Sequence, residues 1–182
     1  METRGFFYRQ TPNLITSSRI LVVPFVLWLI LTQWDSMWMR LIALALLILA
    51  ASTDGIDGAI ARKRNLVTNL GKILDPIADK ALLSGSLVAL SIQDAVPWWA
   101  TILILVREFG VTVYRLAVYR KRVISASGGG KLKTVIQIIA VSMALAPFDF
   151  LGVWFEFLTT GMIYLAVALT LYTGLQYLRP QK

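Results

Sequence analysis

Residues 41–51, LIALALLILAA, are eleven apolar side chains in a row, and they lead within three residues to Asp54 and, three further on, to Asp57. Such a run has few homes in a chain of this size. Further apolar stretches, over about 14–32, 70–92, 97–119 and 154–177, approach the ~20 residues that a helix needs to cross a bilayer, and a shorter one runs roughly over 135–146, with a start inside the Gly-rich link before it left open. Of the 182 residues 57% are hydrophobic and 15% are charged, where a soluble domain carries roughly 25% charge. The chain therefore reads as an all-α integral membrane protein. Six transmembrane helices, the second over about 40–61, form a domain of residues 12–182 behind a short N-terminal membrane-surface segment, 1–11.

That first segment mixes Phe6, Phe7 and Tyr8 with Arg4 and Arg9, which suits a chain lying on a membrane surface. No small-residue cleavage pattern follows the next apolar run, so a signal peptide is not expected. Thr11, Pro12 and Asn13 then mark a helix start. Of the 18 Lys and Arg residues, Arg40 alone falls at a loop on the side away from the termini, where Asp35, Asp94, Asp149 and Glu156 also fall. Basic residues gather on the cytoplasmic side, which places both termini, the 54–80 stretch and the 120–133 link there. Trp34, Trp38, Trp98, Trp99 and Trp154 read as interface anchors. Arg120, Lys121 and Arg122 read as a solvated face for anionic headgroups, so membrane lipids rather than nucleic acid are the expected partners of the positive charge.

The chain has neither His nor Cys, which excludes imidazole bases, thiolate nucleophiles and soft metal sites. Chemistry then falls to groups such as those of the 54–80 stretch, DGIDGAIARKRNLVTNLGKILDPIADK. Asp54 and Asp57 are spaced i, i+3 and Asp75 and Asp79 i, i+4, so each pair lies on one face of its helix. Helices joined by a short turn pack antiparallel, and the pairs lie near the joined ends, so four carboxylates converge. One charged Asp within a bilayer costs ~2.5–3.5 kcal/mol even on the mildest scale, so the convergence calls for divalent ions or basic partners. Four Asp suit two hard cations, Mg2+ or Mn2+, sharing ligands. Gly55, Gly58 and Gly71 leave room for close backbone approach, and Arg62 with Lys72 offers phosphate donors. Two other readings use the same residues. One is a structural network of the Asp with Arg62, Lys72 and Lys80; the other is an ion-coupled transporter, which predicts a repeat around a midplane site. No repeat of 20 to 50 residues is visible, and the acidic cluster lies toward one face.

Written as Asp54-x2-Asp57-Gly58-x2-Ala61-Arg62-x8-Gly71-x3-Asp75-x3-Asp79, the stretch resembles the complete signature of the CDP-alcohol phosphotransferase family, with no departure at any fixed position. The six-span layout extends the resemblance over most of the chain. It implies an integral membrane enzyme, in a bacterial cytoplasmic (inner) membrane, that moves a phosphatidyl group from a CDP-linked lipid to an alcohol and releases CMP. By match to the motif, Asp54, Asp57, Asp75 and Asp79 would hold two divalent cations, and Asp79 would also be the base for the acceptor hydroxyl. Gly58, Arg62, Thr68 and Gly71 would line the CDP site. The opening Pro12-Asn13-Leu14-Ile15-Thr16-x2-Arg19 also resembles the family's first helix, with Asn13 and Thr16 toward the nucleotide; a helix start and simple packing explain the same letters. Members commonly form homodimers.

The acceptor must be read elsewhere. Arg107, Thr112 and Arg115 keep roughly one helical face, and a Gly-rich basic link, Gly130-Lys131-Leu132-Lys133-Thr134, follows. Two Arg within a span plus such a link suit a phosphate pocket, and hence an acceptor bearing its own phosphate. Arg107 has another reading, as the neutralising partner of Glu108 or of the Asp cluster. REFGVTVYR and GKLKT resemble the phosphatidylglycerophosphate synthases, which take CDP-diacylglycerol and sn-glycerol 3-phosphate. That resemblance makes Arg107, Arg115, Lys131 and Lys133 candidate ligands of the acceptor phosphate. The sister alternatives are an inositol phosphate acceptor, or phosphatidylglycerol as in a cardiolipin synthase.

Overall fold

The computed structural model describes the backbone of residues 21–63, 69–118 and 128–178, and the side chains of 21–52, 80–114 and 132–176. Among these residues the chain is all-helical, with no strand. Its elements are α1, described over Leu21–Thr32, α2 (Met37–Lys63), α3 (Asn69–Ile92), α4 (Trp98–Val118), α5 (Gly128–Leu145), a 3-10 turn at Asp149–Leu151, and α6 (Val153–Leu178). Most bounds fall within three residues of those expected. Segment 1–11 and the opening of the first helix lie outside the described residues. Among the described residues, Val153–Gln176 of α6 is the one stretch both long and apolar enough to cross a membrane; Leu21–Thr32, Met37–Ser52, Lys80–Ile92 and Leu132–Leu145 are apolar but shorter.

The fifth helix, expected roughly over 135–146 with a start inside the Gly-rich link left open, does start inside that link and takes in Gly128 to Lys133. The buried positions explain why: Lys133, Gln137, Ala140, Val141 and Ala144 form one i, i+4, i+7, i+8, i+11 stripe. Its first two members are polar, so the helical period continues where hydrophobicity stops. The unexpected 3-10 turn is bracketed by aromatics, with Phe148 edge-on to Phe150 at 6.0 Å and to Phe155 at 5.5 Å.

Two compact units divide the chain, Met1–Ala89 and Leu90–Lys182. In the first, α1 ends in a tight turn where Gln33 N–H donates to Leu29 O and Ser36 N–H to Gln33 O. Ser36 Oγ then accepts from Met39 N–H at 3.5 Å, a weak N-cap for α2. Val23, Ala50 and Leu82 bury one another, with Val22 and Leu27 packed against them. Gly85 lets the helices meet there, since a Cβ on it would stand 2.9 Å from Leu27 Cδ1. Trp34, expected only as an interface anchor, also carries the Arg40 guanidinium 4.2 Å above its ring. Arg40 is thereby buried against an aromatic face.

In the second unit α3 ends by a Schellman motif. Ala95 N–H donates to Leu90 O and Asp94 N–H to Ser91 O, with Asp94 in the left-handed region at φ 56°. Asp tolerates that conformation better than most side chains. Pro97 follows and its carbonyl accepts from Ala100 and Thr101, which starts α4. Thr101 in turn meets Ser91 across the turn at 2.7 Å, both fully buried. α6 packs on both α4 and α5.

Candidate active site

α2 carries Asp54, Asp57, Gly58 and Arg62 in its last turns, and α3 carries Gly71, Asp75 and Asp79 in its first three. The structure thus supplies the helical backbone on which the two Asp pairs take their i, i+3 and i, i+4 registers. Residues 64–68 separate the helices, and Thr68 among them lies outside the described residues, as do Asn13 and Thr16. α3 continues through Pro76, its eighth residue, a position where the ring removes the usual hydrogen bond to the Lys72 carbonyl. The side chains of all four Asp lie outside those described.

The candidate acceptor residues fall on two helices. Arg107 and Arg115 are on α4, and Lys131 and Lys133 are on the opening turns of α5. Arg107 and Lys133 come together, and what joins them is Glu108. Arg107 Nη1 donates to Glu108 Oε1 at 3.1 Å, and the Lys133 ammonium donates to the same oxygen. The side chains are 11%, 18% and 5% exposed for Arg107, Glu108 and Lys133, so the group is withdrawn from water. At such burial a carboxylate between two cations offsets a desolvation cost that neither cation could bear alone. The three charges sum to one positive, the sign that attracts a phosphate. The pairing of Arg107 with Glu108 weighed from the sequence is therefore present, and it recruits Lys133 as well. The side chains of Arg115 and Lys131 are outside those described.

α6 completes this cluster with residues that sequence reading passed over. Arg107 Nη2 donates to Thr173 Oγ1 at 2.9 Å, and Gln137 of α5 donates to Thr170 Oγ1 at 3.0 Å. Both threonines are buried. A signal was there to find: Thr170 and Thr173 are spaced i, i+3 in a largely apolar helix, so they share a face.

The family model described as CDP-alcohol phosphatidyltransferase matches residues 9–172, which takes in all the candidate Asp, Gly, Arg and Lys residues. The chain belongs to the CDP-alcohol phosphatidyltransferase family. It is also 41% identical over 166 residues to a probable phosphatidylglycerophosphate synthase of Mycobacterium tuberculosis, covering 91% of this chain and 78% of the relative. A CDP-diacylglycerol–glycerol-3-phosphate 3-phosphatidyltransferase of Bacillus subtilis is 41% identical over 182 residues, covering 91% and 92%. One of the same description from Rickettsia typhi is 36% identical over 177 residues, covering 96% and 98%. As a CDP-alcohol phosphatidyltransferase the chain is an enzyme that transfers substituted phosphate groups. Membership decides between the enzyme and the ion-coupled transporter in favour of the enzyme.

Proposed function

We propose that this chain transfers a phosphatidyl group from CDP-diacylglycerol to sn-glycerol 3-phosphate, giving phosphatidylglycerophosphate and CMP. It does so at the cytoplasmic face of a bacterial inner membrane that it crosses six times, as a homodimer. The observation that carries the acceptor is the buried cluster on α4 and α5. Two cations drawn onto one carboxylate oxygen, with Arg115 and Lys131 on the same two helices, make a phosphate-seeking group rather than a lone structural pair. The names of the relatives support the same acceptor.

For the metals, the donor set is four carboxylates in two helical registers with no imidazole or thiolate anywhere in the chain, which fits hard divalent cations. Asp54, Asp57, Asp75 and Asp79 would hold two Mg2+ or Mn2+ ions, which supply polarisation of the phosphoryl oxygens and compensation of charge on the departing CMP. The remaining work belongs to the chain. Gly58, Arg62, Thr68 and Gly71, with Asn13 and Thr16, hold the cytidine diphosphate. Arg107, Arg115, Lys131 and Lys133 hold the phosphate of the acceptor and so orient its hydroxyl. Asp79 takes the hydroxyl proton while the oxygen bonds to the phosphatidyl phosphorus. The bond from that phosphorus to the CMP oxygen breaks, and its electron pair leaves with CMP.

Membranes containing the protein, given labelled CDP-diacylglycerol and one acceptor at a time, test this reading. Labelled phosphatidylglycerophosphate from sn-glycerol 3-phosphate is expected. Turnover with inositol phosphate or phosphatidylglycerol, and none with glycerol 3-phosphate, would overturn it.

A further inference from the structure

Thr173 is 3% exposed on α6 and has no part in the chemistry above. Its hydroxyl oxygen lies 2.8 Å from Leu169 O and 3.1 Å from Thr170 O, so its single proton is given to the carbonyls of its own helix. The oxygen therefore faces Arg107 as an acceptor, and Nη2 donates to it at 2.9 Å. Nη1 is meanwhile held by Glu108 at 3.1 Å. A guanidinium is a rigid planar fork, and holding its two terminal nitrogens on two different helices sets the plane of the fork.

The next residue adds an independent constraint. A Cβ on Gly174 would stand 3.0 Å from Arg107 Cγ and 3.4 Å from Nε. The aliphatic stem of Arg107 therefore runs across a place on α6 that has no side chain. Thr173 determines how the charged end is turned, and Gly174 determines where the stem can lie. One turn earlier, Thr170 accepts from Gln137, so α6 ties α5 as well as α4 close to the two cations.

We propose that Thr173, with Gly174 beside it, is a positioning residue for the acceptor phosphate, acting through Arg107. This rests on Arg107 being a ligand of that phosphate. A guanidinium recognises phosphate through the direction of its N–H groups as much as through its charge. Losing the Thr173 acceptor keeps the charge and frees the direction, so acceptor affinity falls while the nucleotide lipid binds as before.

The test uses the full-length enzyme in lipid nanodiscs, with apparent KM measured separately for sn-glycerol 3-phosphate and CDP-diacylglycerol. Thr173→Val keeps the shape of the side chain and removes the acceptor. It is expected to raise KM for glycerol 3-phosphate about tenfold, the order expected for one charge-assisted hydrogen bond. KM for CDP-diacylglycerol should stay within about twofold, a change too small to report a lost bond. Thr173→Ser restores the hydroxyl and should behave as the parent, while Gly174→Ala should shift the same KM as Thr173→Val with the hydroxyl intact. An unchanged acceptor KM in Thr173→Val, with Arg107→Ala raising it, overturns the proposal and leaves the acceptor site standing. An equal rise for both substrates, or no rescue by Ser, overturns it in favour of a purely structural role. An acceptor KM unmoved by Arg107→Ala removes Arg107 from the acceptor site, and the proposal falls with it.

Discussion

Lys133 on α5 and Glu108 on α4 stand 25 residues apart in the chain, and the ammonium of the first donates to the carboxylate oxygen of the second that also accepts from Arg107. One oxygen thus sets the distance between two cations that belong to different helices.

If those cations hold the acceptor phosphate, Lys133→Met should raise the apparent KM for sn-glycerol 3-phosphate by about 10- to 100-fold, the worth of a hydrogen bond to a charged group. KM for CDP-diacylglycerol should hardly move. Arg107→Ala should act in the same direction, and the double variant should fall short of the product of the two, since both side chains share Glu108. Steady-state kinetics on the three variants checks this.

Glu108→Gln keeps a hydrogen-bond acceptor and removes the charge between two buried cations. Breaking a buried ionic group on one side costs about 3–5 kcal/mol, and the partial exposure of Glu108 points to the lower end. The expected result is a clear fall in the thermal unfolding midpoint in detergent, larger than for Lys133→Met, which removes one of the two positive charges that the carboxylate balances.

Asp79→Asn should lower the turnover rate by at least about 100-fold, the lower range for loss of a general base, and by more if a metal ligand goes with it. The variant should still elute as the parent does on size exclusion. Chelation of divalent cations should abolish transfer by the parent, with recovery on adding Mg2+ or Mn2+. Activity that persists after thorough chelation would remove the metal role from the four Asp.

The fully buried Ser91–Thr101 pair gives a prediction about stability alone. Thr101→Val leaves Ser91 without that partner and should cost about 1–3 kcal/mol. Ser91→Ala combined with Thr101→Val should be milder than either single change, because both polar groups leave together. Unfolding midpoints of the three variants form the cycle that measures it.

Much of the fold was legible because α2, α3, α4 and α6 each announce themselves by a largely apolar stretch bounded by polar or charged residues, Pro or Gly. The start of α5 was legible only as lying near residue 135 or inside the Gly-rich link, because the buried stripe there begins with the polar residues Lys133 and Gln137. Burial of a polar residue depends on a partner, and those partners, Glu108 and Thr170, are 25 and 33 residues away. Thr173 was missed for the same reason, since its use as an acceptor lies in an arginine 66 residues earlier.

What the sequence by itself determined is whatever depends on spacing within one element. The helical character of the apolar stretches and the registers of Asp54 with Asp57 and of Asp75 with Asp79 lie within a few turns, and the family signature they compose is read from spacing along the chain alone. Only the tertiary structure decided that Arg107 and Lys133 share one carboxylate oxygen and that α6 turns the arginine, because α4, α5 and α6 must pack before those groups meet. Helical periodicity is local and is written in the order of residues. The pairing of buried charges has no period, and it is settled by which helices bury one another.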